Sequence, residues 1–207
     1  MNGLYLVTPN WDDTVRLLDK TEQALIGGAA LVQYRHKTAA PKLREEQAGL
    51  LLALCRRYAR PCIINDHLDL CIALKADGIH LGGTDLSVEQ ARLRLGPDKL
   101  IGASCYGELA LAQAAQNAGA SYVAFGGFYP SQVKVYPVTT ASTILQQARQ
   151  CCSLPQVVIG GMTVDNAPPL VALGADMVAA ISSVYMAQDS AAAARAFVQL
   201  FEVRVNT

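Results

Sequence analysis

Acids, cations and amides gather at two places in this 207-residue sequence, each where a strand pattern stops. The stretch Ile63 to Leu86, IINDHLDLCIALKADGIHLGGTDL, runs from an apolar segment into Asn65 and Asp66. It then passes through a short helical pattern and rises through GIHL before reaching Asp85. In a parallel strand–helix–strand unit both strands point the same way, so Asp66 and the loop carrying Asp85 open onto one rim. Two carboxylates beside an amide, on the edge where α/β proteins place ligands, point to a hard divalent cation and a phosphorylated substrate. The second place is Gln33-Tyr34-Arg35-His36-Lys37. Side chains alternate along a strand, so Gln33, Arg35 and Lys37 share one face while Tyr34 and His36 share the other. Two cations facing a barrel interior require an anion, because burying unpaired charge is costly. The alternative is a solvated strand end with ordinary ion pairs.

Asp66 has a competing role as the cap of the helical pattern in HLDLCIALK. Asp85 does not, since Ser87 with Gln90 already supplies a capping box for the next helix. Asp77 is expected in the turn before the fourth strand, on the opposite rim. Further on, FGGFYPSQVK (Phe125 to Lys134) has a glycine pair that lets a ligand approach the backbone, and Ser131 and Lys134 could hold an oxyanion. VVIGGM and AAISSV place Gly160, Gly161, Ile181, Ser182 and Ser183 at two strand ends, where barrels often bind a phosphate through backbone N–H groups. His36, His67 and His80 have no obvious nucleophile beside them and read as structural or as supports behind the residues that touch a ligand. Cys105 reads as a buried thiol, and nothing supports a Ser-His-Asp triad.

These residues need a frame. Eight apolar or β-branched runs recur at intervals of roughly 20–30 residues, the spacing of βα units. They are Leu4 to Thr8, Leu31 to Lys37, Cys62 to Asp66, Gly78 to Leu81, Leu100 to Cys105, Tyr122 to Phe128, Val157 to Gly161 and Met177 to Ser183. Helical patterns lie between them: Trp11 to Ile26 stops at Gly27-Gly28, Pro41 opens the second, and the one capped by Ser87 runs to Leu95 before Gly96-Pro97. Polar and glycine-rich signals at the carboxyl end of nearly every strand suit a ring of converging loops, hence a single-domain (β/α)8 TIM barrel over residues 1–207. A doubly wound open sheet is the other option, but VTPNW after the first strand lacks the GxGxxG of a dinucleotide fold.

Seventeen basic and seventeen acidic residues cancel, which removes the electrostatic footprint for nucleic acid or an anionic membrane surface. The amino terminus lacks a basic n-region. The longest stretch free of charged residues, Leu109 to Val133, contains amides, a proline and glycines, so no membrane span is expected. Six cysteines without CxxC spacing suit a reducing cytoplasm.

With LYLVT, QYRHK, IINDHLDL, ADGIHLGGTDL, IGAS, FGGFYPSQVK, VVIGGM and AAISS in this order and spacing, the chain resembles the thiamine-phosphate synthases over nearly its whole length. The resemblance implies a barrel that joins a pyrimidine methyl diphosphate to a thiazole ethyl phosphate, releasing diphosphate, with Mg2+ as cofactor. It implies that Gln33, Arg35, Lys37 and Asn65 surround the pyrimidine diphosphate, with Asp66 and Asp85 on the metal and Ser104 and Lys134 completing that pocket. Ser131 matches a family threonine near the thiazole phosphate, and Gly161, Ile181 and Ser182 match the backbone that binds that phosphate. Arg35, Lys37 and Lys134 are then the residues that neutralise the leaving group. The partners implied are these small molecules, with homo-oligomerisation left open. Three positions depart from the family pattern: Val133 replaces a threonine, Gly127 a proline, and Tyr106 a histidine. Two other readings stay open: a thiazole tautomerase, which would use a histidine in the strand-five region, and a non-catalytic sensor of thiamine phosphate.

Overall fold

Alternation of side chains accounts for the architecture. In a computed structural model that describes residues 1–83, 86–130 and 139–202, eight parallel strands close into a barrel in sequence order. The elements run β1 (Gly3–Val7), α1 (Thr14–Ile26), β2 (Leu31–Tyr34), α2 (Pro41–Arg57), β3 (Cys62–Asn65), α3 (Leu68–Ala73), β4 (Gly78–Leu81), α4 (Val88–Leu95) and β5 (Leu100–Tyr106). They continue with α5 (Leu109–Asn117), β6 (Tyr122–Gly126), α6 (Ile144–Cys151), β7 (Gln156–Ile159), α7 (Pro168–Ala172), β8 (Met177–Ala180), α8 (Ser182–Tyr185) and α9 (Ser190–Glu202). The ring closes where Gly3 to Leu6 pair with Met177 to Ala180.

Odd and even positions of each strand divide cleanly between two cores. Tyr5, Val7, Leu31, Ile63, Tyr122, Ala124, Val157, Met177 and Ala179 fill the barrel interior. Leu4, Leu6, Val32, Tyr34, Cys62, Ile64, Ile79, Val123, Phe125, Val158 and Val178 face the helices. The barrel interior is therefore a packed core below, and its cavity opens above, at the carboxyl ends of the strands.

The expected strands all form, but several stop sooner than their sequence patterns. β2 ends at Tyr34 and not Lys37, β6 at Gly126 and not Phe128, and β8 at Ala180, where α8 begins two residues later. β7 gives way at Gly160 and Gly161, whose φ values of 109° and 62° leave the extended region. In each case the last residues of the apolar run turn out of the ladder to build the rim. The Ser87–Gln90 capping box forms as expected, and α1 starts at Thr14 because the Asp13 carboxylate accepts the Arg16 N–H at 3.0 Å. Asp77 lies on the lower rim, its carboxylate accepting the Cys62 N–H at 2.8 Å.

One glycine is dictated by packing. The Tyr122 ring crosses the interior over Gly102, where an added Cβ would lie 2.1 Å from the ring Cζ and 2.2 Å from the hydroxyl. Gly102→Ala should therefore force the ring aside and cost about 1–3 kcal/mol, read as a lower urea midpoint at unchanged slope. A shift below about 0.5 kcal/mol would mean that the ring has room to spare.

Candidate active site

The upper opening forms a cavity of about 640 Å³, within the range that holds small-molecule ligands. Its walls include Gln33, Arg35, Lys37, Asn65, Asp66, Ser104, Gly161, Ile181 and Ser182, so nine of the expected site residues converge on one space. Asp85, Ser131 and Lys134 lie outside the described residues.

The cationic side is set by the end of β1. Thr8, fully buried, donates its hydroxyl to the Arg35 carbonyl at 2.9 Å and accepts the Arg35 N–H at 2.7 Å. Asn10 accepts the Lys37 N–H at 3.1 Å through its side-chain oxygen. These bonds carry the alternation of β2 beyond Tyr34, which is why Gln33, Arg35 and Lys37 reach the cavity. Tyr34 points outward, donating to Gln47 at 3.1 Å, and His36 pairs with Asp12 at 2.9 Å. The expected division of faces holds, with His36 structural.

Lys37 donates its ammonium to the Asp66 carboxylate. Asp66 adopts φ 61°, a left-handed conformation that Asp tolerates better than most residues, and its N–H bonds the His80 carbonyl at 2.9 Å. It is not the helix cap: His67 holds the cap position of α3, and no side-chain capping bond forms there. The carboxylate is thus turned to the cavity. Among the described residues no group of three acids, histidines or cysteines could enclose a metal. The Asp66 carboxylate and the side-chain oxygen of the neighbouring Asn65 are oxygen donors, which fit a hard divalent cation.

The opposite side is backbone. Gly160 accepts the Tyr129 N–H at 3.3 Å, and in a trans peptide this turns the Gly161 N–H the other way. The Gly161 carbonyl in turn accepts from the Asn166 amide at 2.9 Å. α8 starts beside it, and the first N–H groups of any helix have no acceptor within it. Gly161, Ile181, Ser182 and Ser183 thus line a second end of the cavity, where backbone N–H groups could meet an anion.

Between the two ends the floor is a polar network. Gln33 donates its amide to the Tyr5 hydroxyl at 2.6 Å, and Tyr5 and Tyr122 share a hydroxyl–hydroxyl bond of 2.7 Å. Tyr122 meets His80 Nδ1 at 3.1 Å, and His80 Nε2 meets the Ser104 hydroxyl at 2.9 Å. Sequence reading overlooked Tyr5 and Tyr122; His80, expected to be structural or to support residues that touch a ligand, bonds Ser104 and also lines the cavity. The alternation that places Gln33 inward would, extended to Leu4–Thr8, have placed Tyr5 inward too. Tyr106, at a bulge in β5 with φ 52°, also reaches the cavity and accepts the Gly83 N–H at 3.1 Å through its hydroxyl. Cys105 is fully buried, and that burial pushes its thiol up to about 12, so it offers no nucleophile.

The comparisons with known proteins point the same way. The family model described as thiamine monophosphate synthase matches residues 4–184. A thiamine-phosphate synthase of Janthinobacterium sp. (strain Marseille) is 67% identical across 97% of both chains, and that of Methylobacillus flagellatus is 48% identical across 97% of this chain and 96% of its own. Among solved structures, the thiamine phosphate pyrophosphorylase from Pyrococcus furiosus superposes with a TM-score of 0.84 at 31% identity, covering 97% of this chain and 96% of that one. Barrel, rim and sequence agree: this chain belongs to the thiamine monophosphate synthase family.

Proposed function

We propose that the chain catalyses the reaction named in its relatives, joining a pyrimidine methyl diphosphate to a thiazole ethyl phosphate to give thiamine phosphate and diphosphate. The observation that carries this reading is one cavity with two anion-accepting ends, Arg35 and Lys37 beside Asp66 on one side and the Gly161–Ser182 backbone on the other. The first end suits the diphosphate and the second the single phosphate.

In the proposed reaction the bond between the pyrimidine methylene and the diphosphate oxygen breaks first, and the electron pair leaves with diphosphate. The thiazole nitrogen then donates its lone pair to the methylene cation, forming the carbon–nitrogen bond. Arg35 and Lys37 neutralise charge as it develops on the leaving group, with Lys134 assigned the same role. Gln33, Asn65 and Ser104 hold the pyrimidine diphosphate, while Ser131, Gly161, Ile181 and Ser182 hold the thiazole phosphate. The protein supplies position and excludes water, and needs no nucleophile of its own. Magnesium, held by Asp66 and Asp85, would add positive charge at the departing oxygens. Residues 1–207 act as one catalytic unit. A cytoplasmic setting is supported by six free cysteines; among the described residues no helix is long and apolar enough to cross a membrane.

The test is diphosphate release after mixing the protein with both substrates, with and without Mg2+. Release accompanied by thiamine phosphate, and only with both substrates and the metal, is the expected result. No release under any of these conditions overturns the reading. Turnover of a thiazole carboxylate phosphate without metal would then identify a tautomerase, and tight thiamine phosphate binding without turnover a sensor.

A further inference from the structure

The floor of the cavity joins two cavity-lining residues, on strands three places apart in the barrel, through groups of which one, Tyr122, is wholly buried beneath the wall. The chain of bonds runs Gln33, Tyr5, Tyr122, His80, Ser104, from β2, β1, β6, β4 and β5 in turn. Among the described residues each hydroxyl or ring in the middle bonds a neighbour on either side, and with every hydrogen in use the direction of one bond sets the others. Gln33 donates its amide N–H to Tyr5. Tyr5 therefore gives its own hydrogen to Tyr122, and Tyr122 gives its hydrogen to Nδ1 of His80. A His80 that accepts at Nδ1 carries its proton on Nε2 and donates it to the Ser104 oxygen.

Two consequences appear at the cavity surface. The Gln33 amide oxygen is left to accept from a ligand, and the Ser104 hydroxyl, its oxygen occupied by His80, is left to donate. Reversing the Gln33 amide would reverse every bond and both ends together. We infer that Tyr122 is a positioning residue that locks the His80 tautomer and thereby presents Gln33 as an acceptor and Ser104 as a donor to the pyrimidine substrate. The substrate class and the roles of Gln33 and Ser104 rest on the proposed function; the direction of the network does not.

The surroundings support a fixed arrangement. Burial holds both phenols well above the ordinary tyrosine pKa, so each retains the hydrogen the chain requires. The Tyr5 and Tyr122 rings meet edge to face at 5.8 Å, and His80 stacks on Tyr122 at 5.7 Å and 24°. Gly102 leaves the space through which the Tyr122 ring reaches both partners. A polar thread through an otherwise apolar interior also costs stability if any member is left unpaired, and here each member has its partner.

Nitrogen-15 NMR of the histidine rings in the free protein tests the direction. With three histidines in the chain, His80→Gln identifies the resonances. At mildly alkaline pH, His80 should be protonated at Nε2 with Nδ1 bare. The opposite tautomer would overturn the inference whatever the protein catalyses. Tyr122→Phe keeps the ring and removes the hydroxyl, and should turn the single His80 tautomer into a mixture. Its KM for the pyrimidine diphosphate should rise about tenfold while the KM for the thiazole phosphate stays within about twofold. An unchanged tautomer, or equal changes in both KM values, would mark Tyr122 as structural only. If the parent protein shows no synthase turnover, the proposed function fails, and the tautomer measurement still decides the network.

Discussion

Asp66→Asn should lower kcat by ~10²–10³-fold while leaving the melting temperature nearly unchanged. Asn tolerates the left-handed φ of 61° as well as Asp does, so the turn after β3 survives. Lys37, released from its carboxylate, is half exposed and strands no buried charge. The carboxylate charge itself is lost, and with it the proposed metal donor. Because the proposed metal is shared between carboxylate and substrate, the variant should also need at least about tenfold more Mg2+ for half-maximal rate. Full activity at ordinary Mg2+ would remove Asp66 from the proposed metal site and leave its pairing with Lys37 as its whole role.

Strand number and order are legible in the sequence because each βα unit must bury a continuous apolar run against both helices and barrel interior. The division of faces in Gln33–Lys37 is legible for a related reason. The period of a strand is two, and the Thr8 and Asn10 bonds hold the chain extended past the last ladder pair. Strand ends are less legible, since the same residue types continue into the rim loops. Asp66 shows the limit clearly: a cap and a ligand are the same residue type before the same helix, and only the φ of 61° and the cap at His67 separate them. The Tyr5–Tyr122–His80 network is illegible for a different reason. It depends on the relative heights of strands distant in sequence and on the space above Gly102, neither of which a local pattern encodes.

At the loop after β6 the resemblance implies a proline where this chain has Gly127, and the geometry accounts for the glycine. Gly127 takes φ 83°, far from the value near −65° to which a proline ring is confined. Its N–H also donates to the Ile159 carbonyl at 3.0 Å, a bond that proline could not make. The chain thus ties this loop to β7 by a backbone bond. The added Cβ at Gly160 would come within 2.8 Å of the same N atom, so the two glycines pack against one another.

Gly161 is held as closely, against Tyr129 and Pro130, and the proposed phosphate end rests on it. Gly161→Ala should raise the KM for the thiazole phosphate by ~10²-fold and leave the KM for the pyrimidine diphosphate within a few-fold. Two effects add. The residue sits at φ 62°, where alanine is penalised by about 1–2 kcal/mol. The new Cβ would also stand 2.2 Å from the Pro130 carbonyl oxygen, a backbone atom that cannot swing aside as a side chain would. Relief requires the peptide before Gly161 to rotate or the loop at Tyr129 and Pro130 to withdraw, and either movement turns the Gly161 N–H from the anion. Some of the strain will appear as lower stability, so the melt must be measured beside the kinetics. A selective loss of thiazole phosphate affinity at a temperature well below the transition is the expected result. Equal losses for both substrates would mean that the loop transmits its strain to the whole rim, and that the backbone at Gly161 has no private role in holding the phosphate.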